Sequence, residues 1–120
     1  MIGLDHIAEE VLRIKEQLKA RQEARITKLL PKIIETAPVE IGVYGSYARG
    51  DYKATSDVDL YAIYERLPDP IDKGELYEEA ADTGIDLLIC THEAFYASDS
   101  IFTKNVIQDR KILWRRTGPI

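Results

Sequence analysis

Cysteine, basic charge and long apolar runs are what this chain has least of, and each shortage excludes a class of function. One cysteine in 120 residues excludes an internal disulfide and a thiolate metal cluster. That residue, Cys90, sits in the apolar run LLIC, a setting for a buried strand position rather than a reactive thiol. No apolar run approaches the ~18 residues of a membrane span, so no membrane association is expected. The start, MIGLDHIAEE, lacks the basic and apolar segments of a secretory signal, and the expected location is the cytoplasm. Lys and Arg total 16 against 21 Asp and Glu, giving a net charge of -5. Backbone affinity for nucleic acid needs a basic surface, so stable duplex binding is not expected. The one basic stretch, Arg110, Lys111, Arg115 and Arg116 around Trp114, reads as a solvated helix end, the alternative being contact with a nucleotide or an acidic partner. Internal repeats and low-complexity segments are also missing.

What is present is ordinary globular composition, 45% hydrophobic and 31% charged. The length suits a single domain, 1–120, with an N-terminal helix over about 3–36 and a core over about 37–120. Leu4, Ile7, Ala8, Val11, Leu12, Leu18, Ile26, Leu29, Leu30 and Ile33 recur at helical spacing, and Lys15, Gln22 and Arg25 interrupt the stripe. This pattern predicts two buried patches joined by an exposed middle. Pro31 predicts a kink or break. The first patch either packs back on its own domain or extends past it to meet something else. His6, amid Asp5, Glu9 and Glu10, reads as a solvated histidine. Strands are expected over Val39–Tyr44, Asp59–Tyr64 and Ile85–Cys90. A helix is expected over Ile71–Ala81, stopped by Gly84 after a loop held irregular by Pro68 and Pro70, and a terminal helix over Ser100–Trp114. Thr91–Phe95 reads as a loop or single turn. The fold class is α/β in the α+β sense, a small mixed sheet flanked by helices.

The chemistry concentrates in VYGSYARGDYKATSDVDL, residues 43–60. Gly45 at a strand end permits a turn closed to residues with a Cβ and lets a ligand approach the main chain, and Ser46 adds a hydroxyl. A short helix over Tyr47–Tyr52 would aim its first N–H groups at the same place, which favours phosphate. Asp57 and Asp59, two apart in a strand, project to one face while Val58 and Leu60 face the other. Converging carboxylates call for a cation or a shared proton, and Mg²⁺ is the simplest resolution. Arg49 either adds positive charge toward a phosphate or pairs with Asp51 or Asp57. Asp86, inside GIDLLICT, is costly if buried and ionised unless paired or metal-bound, the plainer alternative being an edge-strand acid facing water.

Gly45-Ser46, ten residues, then Asp57-Val58-Asp59 resembles the signature of the polymerase-beta-like nucleotidyltransferases, in particular their minimal branch. The resemblance implies a nucleotidyltransferase-type sheet and metal-dependent transfer of a nucleoside monophosphate from a triphosphate. It also implies a third carboxylate on a later strand, which Asp86 supplies. Asp57, Asp59 and Asp86 would then be catalytic and hold two Mg²⁺, with Asp86 also the base. Gly45, Ser46, Arg49 and Ser56 would bind ATP. Such two-metal chemistry needs no histidine, so His92, near the end of the Asp86 strand, is assigned no role.

Minimal members are commonly paired with a small helical protein of the HEPN ribonuclease family. The resemblance therefore implies an antitoxin that transfers AMP to a tyrosine hydroxyl of that toxin. Two alternatives stay open: a binding module that neutralises a partner by coverage, and a transferase acting on a small molecule or an RNA end.

Overall fold

The computed structural model describes residues 4–51 and 57–117, with side chains from residue 7 onward; His6 as a side chain, Tyr52 and Ser56 lie outside it. The order of elements is α1 (Leu4–Glu35), β1 (Glu40–Tyr44), α2 (Gly45–Ala48), β2 (Val58–Tyr64), α3 (Pro70–Thr83), β3 (Ile85–Thr91), α4 (His92–Ala97), α5 (Ile101–Asp109) and β4 (Lys111–Arg115). The strands form one mixed sheet in the order β3-β2-β1-β4. β1 pairs antiparallel with both β2 and β4, and β2 pairs parallel with β3 through the α3 crossover. Among the described residues no helix is long and apolar enough to cross a membrane.

Strand alternation assigns the two faces. Ile41 and Val43, Val58, Leu60, Ala62 and Tyr64, and Ile85, Leu87 and Ile89 enter one core, covered by Ile26, Leu29 and Ile33 of α1 and Leu76 and Ala80 of α3. Each fully buried Leu or Ile there contributes roughly 2 kcal/mol. The opposite face is covered only in part: Tyr44, Tyr61 and Ile63 pack with Phe95 of α4 and Val106 of α5. Tyr61 crosses Gly42, where an added Cβ would collide with the phenol ring. Its hydroxyl donates to Glu40 Oε2 at 2.6 Å, and Tyr96 Oη, Arg110 Nη1 and Arg115 Nε also donate to that carboxylate. Burial pushes Glu40 up, but the Tyr61 and Tyr96 hydrogen bonds and the two arginines outweigh it and hold the group below the usual carboxylate range.

Several expectations need correction. The break expected at Pro31 does not occur, since α1 runs continuously through it. Pro31 is exposed, so the Thr27 carbonyl that loses its N–H partner faces the solvent side, where water can replace the bond. Among the described side chains of α1 it is the second apolar patch that is buried; Ile7, Val11, Leu12 and Ile14 are about half exposed, at 53, 47, 59 and 53%. Pro70 opens α3 instead of holding a loop, in the first-turn position where its missing N–H costs nothing, and Asp69 caps the helix by accepting from Asp72 N–H at 2.9 Å. Gly84 ends α3 with φ +77, as the sequence predicts. His92–Ala97 is a helix capped by Thr91, not a loop or single turn. The expected terminal helix stops at Asp109, and Lys111–Arg115 pairs with β1 as an edge strand. Helical spacing lasts only to Ile107, and the basic stretch around Trp114 is therefore strand rather than helix end.

Candidate active site

The site forms where β1 ends and β2 and β3 begin, on the partly covered face. Tyr44 is the Cα partner of Asp59 across β1–β2, and Asp59 is the partner of Asp86 across β2–β3. One row therefore holds a phenol and two carboxylates on three adjacent strands. Asp57 is exposed just before β2, Val58 beside it is fully buried, and Asp59 is half-buried. Asp59 is held above the usual carboxylate range, first by burial and then by the charges of Asp86 and Asp57, against a smaller opposite pull from Arg49. The charges of the other two acids predicted from the sequence thus both reach Asp59.

Asp86 reaches this place by a different route from the one expected. β3 is an edge strand and Asp86 is exposed, so no burial cost demands a partner. Its register opposite Asp59 is what ties it to the site.

Gly45 follows Tyr44 with φ +71, in the left-handed region, and starts α2. A Cβ there would run into Asp59 Oδ2, so glycine is required twice, by the backbone angle and by the carboxylate lying against it. α2 spans Gly45–Ala48, starting two residues before the predicted Tyr47. Arg49 N–H donates to the Gly45 carbonyl at 3.1 Å and Asp51 N–H to the Ser46 carbonyl at 2.8 Å, closing the turn. Ser46 is half-buried within it. The Arg49 guanidinium donates to Asp109 Oδ2 of α5 at 3.0 Å, a partner the sequence reading did not name.

α5 adds residues that sequence reasoning missed. Tyr44, Gly45 and Arg49 line a groove with Phe102, Asn105, Val106 and Asp109. Phe102 is 55% exposed and meets Tyr44 edge to face at 6.0 Å. No local pattern marks Phe102 or Asn105, because only the packing of α5 brings them here. The Tyr44 phenol is pushed up to about 12 by burial and by Asp59 and Asp86, so it remains a hydrogen-bond donor beside the carboxylates. His92 lies at the far end of β3 against Tyr96, away from the acids. Cys90 is half-buried, and burial pushes its thiol up to about 11, which leaves it inert.

The donor set suits a hard divalent cation, since it consists of carboxylates whose mutual repulsion a cation would relieve. Among the described residues no group of three or more His, Cys, Asp or Glu side chains is already arranged to hold one. The fit is therefore one of chemistry and strand register.

Comparison with known proteins agrees with this picture. Protein adenylyltransferase MntA of Thermococcus cleftensis is 49% identical over 78 residues, and the match spans 65% of this chain and 65% of that relative, just under two thirds of its length. A crystal structure of a toxin–antitoxin with AMP-PNP superposes with a TM-score of 0.55 at 26% identity, covering 78% of this chain and 73% of that one. A Sulfolobus solfataricus protein described as a nucleotidyltransferase shares the fold, with a TM-score of 0.59 at 16% identity over 85% of this chain and 87% of its own. Residues 24–117 match the family described as polymerase beta, nucleotidyltransferase. With the glycine turn and the acidic row both inside that span, the chain belongs to the polymerase beta nucleotidyltransferase family.

Proposed function

We propose that this chain transfers AMP from ATP to a hydroxyl of a partner protein, and that the partner is a small helical toxin of the HEPN type which the transfer silences. The observation that carries the reading is the row in which Asp59 and Asp86 are register partners while Gly45 lies against the Asp59 carboxylate. The 49% identity to a protein adenylyltransferase and the likeness to a toxin–antitoxin with AMP-PNP support the acceptor and the donor, respectively.

In this mechanism Asp57, Asp59 and Asp86 would hold a divalent cation such as Mg²⁺, which would supply charge neutralisation for the triphosphate and a lowered pKa for the hydroxyl that attacks it. Gly45 and Ser46 bring main-chain N–H groups and a hydroxyl to the phosphates, and Arg49 faces the same groove. Ser56 is assigned to the nucleotide by the motif alone. The acceptor oxygen bonds to the α-phosphorus as the bond to the β-phosphate oxygen breaks, and pyrophosphate leaves. Asp86, exposed on its edge strand, takes the hydroxyl proton. The protein's share is positioning and electrostatics, the usual means of catalysing phosphoryl-type transfer.

Incubating the chain with each labelled triphosphate, Mg²⁺ and the product of the neighbouring gene, then weighing every component, tests the proposal. The expected result is a gain of one or more AMP on the partner. A partner left unmodified with every triphosphate would contradict it.

A further inference from the structure

Residues 4–23 of α1 lie outside the span that matches the nucleotidyltransferase family, and among the described side chains the buried positions of the helix begin at Gln22. The preceding stretch carries about 25 Å of helix away from the domain, in a molecule 60 Å long and under 30 Å across. Its apolar side chains repeat as Ile7, Val11, Ile14 and Leu18, spacings of four, three and four. That is a coiled-coil seam with Val11 and Leu18 at the a positions and Ile7 and Ile14 at d. Ile7, Val11 and Ile14 are about half exposed, and Arg21 at the next d position ends the seam where α1 begins to enter its own core. The outward f positions are Glu9, Glu16 and Glu23; Leu12, at b, departs from the polar outer surface.

The flanking charges name the occupant. Glu10 falls at g and Lys15 at e, the two positions that meet across neighbouring strands of a parallel, in-register coiled coil. An antiparallel pairing would set Glu10 against Glu10 or Gln17 and leave it without an opposite charge. Among the described side chains Glu10 pairs within the helix with Arg13, at 3.3 Å between exposed groups, a contact of little energy. The helix is already anchored by its buried second half, so the nucleation cost that makes short coiled coils marginal does not recur.

We infer that the projecting half of α1 is an oligomerisation stalk, on which further copies of this chain pack in parallel through Ile7, Val11, Ile14 and Leu18. Isoleucine at d fits three or four strands better than two. Self-association would cluster the active sites on one side of the stalk. The inference does not depend on the transferase reading, because its test needs no nucleotide.

Sedimentation equilibrium of the full chain gives the mass. The wild type is expected above one chain mass, with Ile14→Asp monomeric and equally folded by circular dichroism, since Ile14 touches no core. Glu10→Lys and Lys15→Glu should each weaken association by up to about fivefold, and the double variant should recover it. Mild oxidation of Ile14→Cys should link copies through that residue, as parallel register requires. A monomeric wild type, a double variant no better than the singles, or no Ile14→Cys cross-link would overturn the inference.

Discussion

Asp59 and Asp86 stand opposite each other across the parallel β2–β3 pair, and after burial the charge of Asp86 is the main reason Asp59 holds its proton more tightly than a free carboxylate. The parallel pairing needs the α3 crossover between the two strands, so the Asp57-Val58-Asp59 motif and Asp86 are brought together only through long-range topology.

If that repulsion is present, Asp59→Asn should leave the melting temperature of the metal-free protein unchanged or slightly higher, because one of the clustered charges is gone. AMP transfer should fall below detection. Thermal melts and labelled-ATP assays on the same preparation check both halves, and near-normal transfer would remove Asp59 from the chemistry.

Gly45→Ala should lower stability by about 1–2 kcal/mol for the left-handed backbone alone, and further because the new methyl meets Asp59 Oδ2. Ser46→Ala should instead leave the melting temperature nearly unchanged and weaken ATP use. Equal losses of stability and affinity in both variants would count against this division.

These assignments show what was legible from the chain. Gly45, Asp57 and Asp59 lie within one stretch, where strand alternation and glycine geometry are local rules, and Asp86 stood out as an acid in an apolar run. Burial does not explain Asp86, since exposure on an edge strand removes the cost. Pro70 and Lys111–Arg115 were misread because local spacing cannot show that a proline sits at a helix's first turn or that an edge of β1 needs covering. Phe102, Asn105 and the Arg49–Asp109 pair were invisible for a similar reason: α5 follows Arg49 by some fifty residues and meets α2 only after folding.

Glu40 supplies a pH test remote from the acids. Its pKa is lowered in the folded state, so its contribution is full above the unfolded carboxylate value of about 4.3 and is lost as pH falls through the lower folded value. Glu40→Gln should destabilise by about 3 kcal/mol at neutral pH, leaving Arg110 and Arg115 without their shared charge. The gap between wild type and variant melting curves should close toward acid; a constant gap would mean that the charge is not the stabilising feature.

Arg49→Gln separates the two roles considered for this residue. Its pair with Asp109 is largely exposed, so stability should change by less than ~1 kcal/mol. If the guanidinium serves the triphosphate, KM for ATP should rise several-fold while the melting temperature stays put. An unchanged KM would leave Arg49 as a surface partner of Asp109.

The most direct test of the central claim is AMP transfer by Asp86→Asn, measured beside partner binding and toxin neutralisation. Asp86 is exposed on an edge strand, so the fold and the binding of the partner should persist, while transfer drops by several orders of magnitude and neutralisation fails with it. Transfer near the wild-type rate would contradict the acidic row as the catalytic centre. Full neutralisation without transfer, at normal protein level, would show that the chain silences its partner by coverage alone.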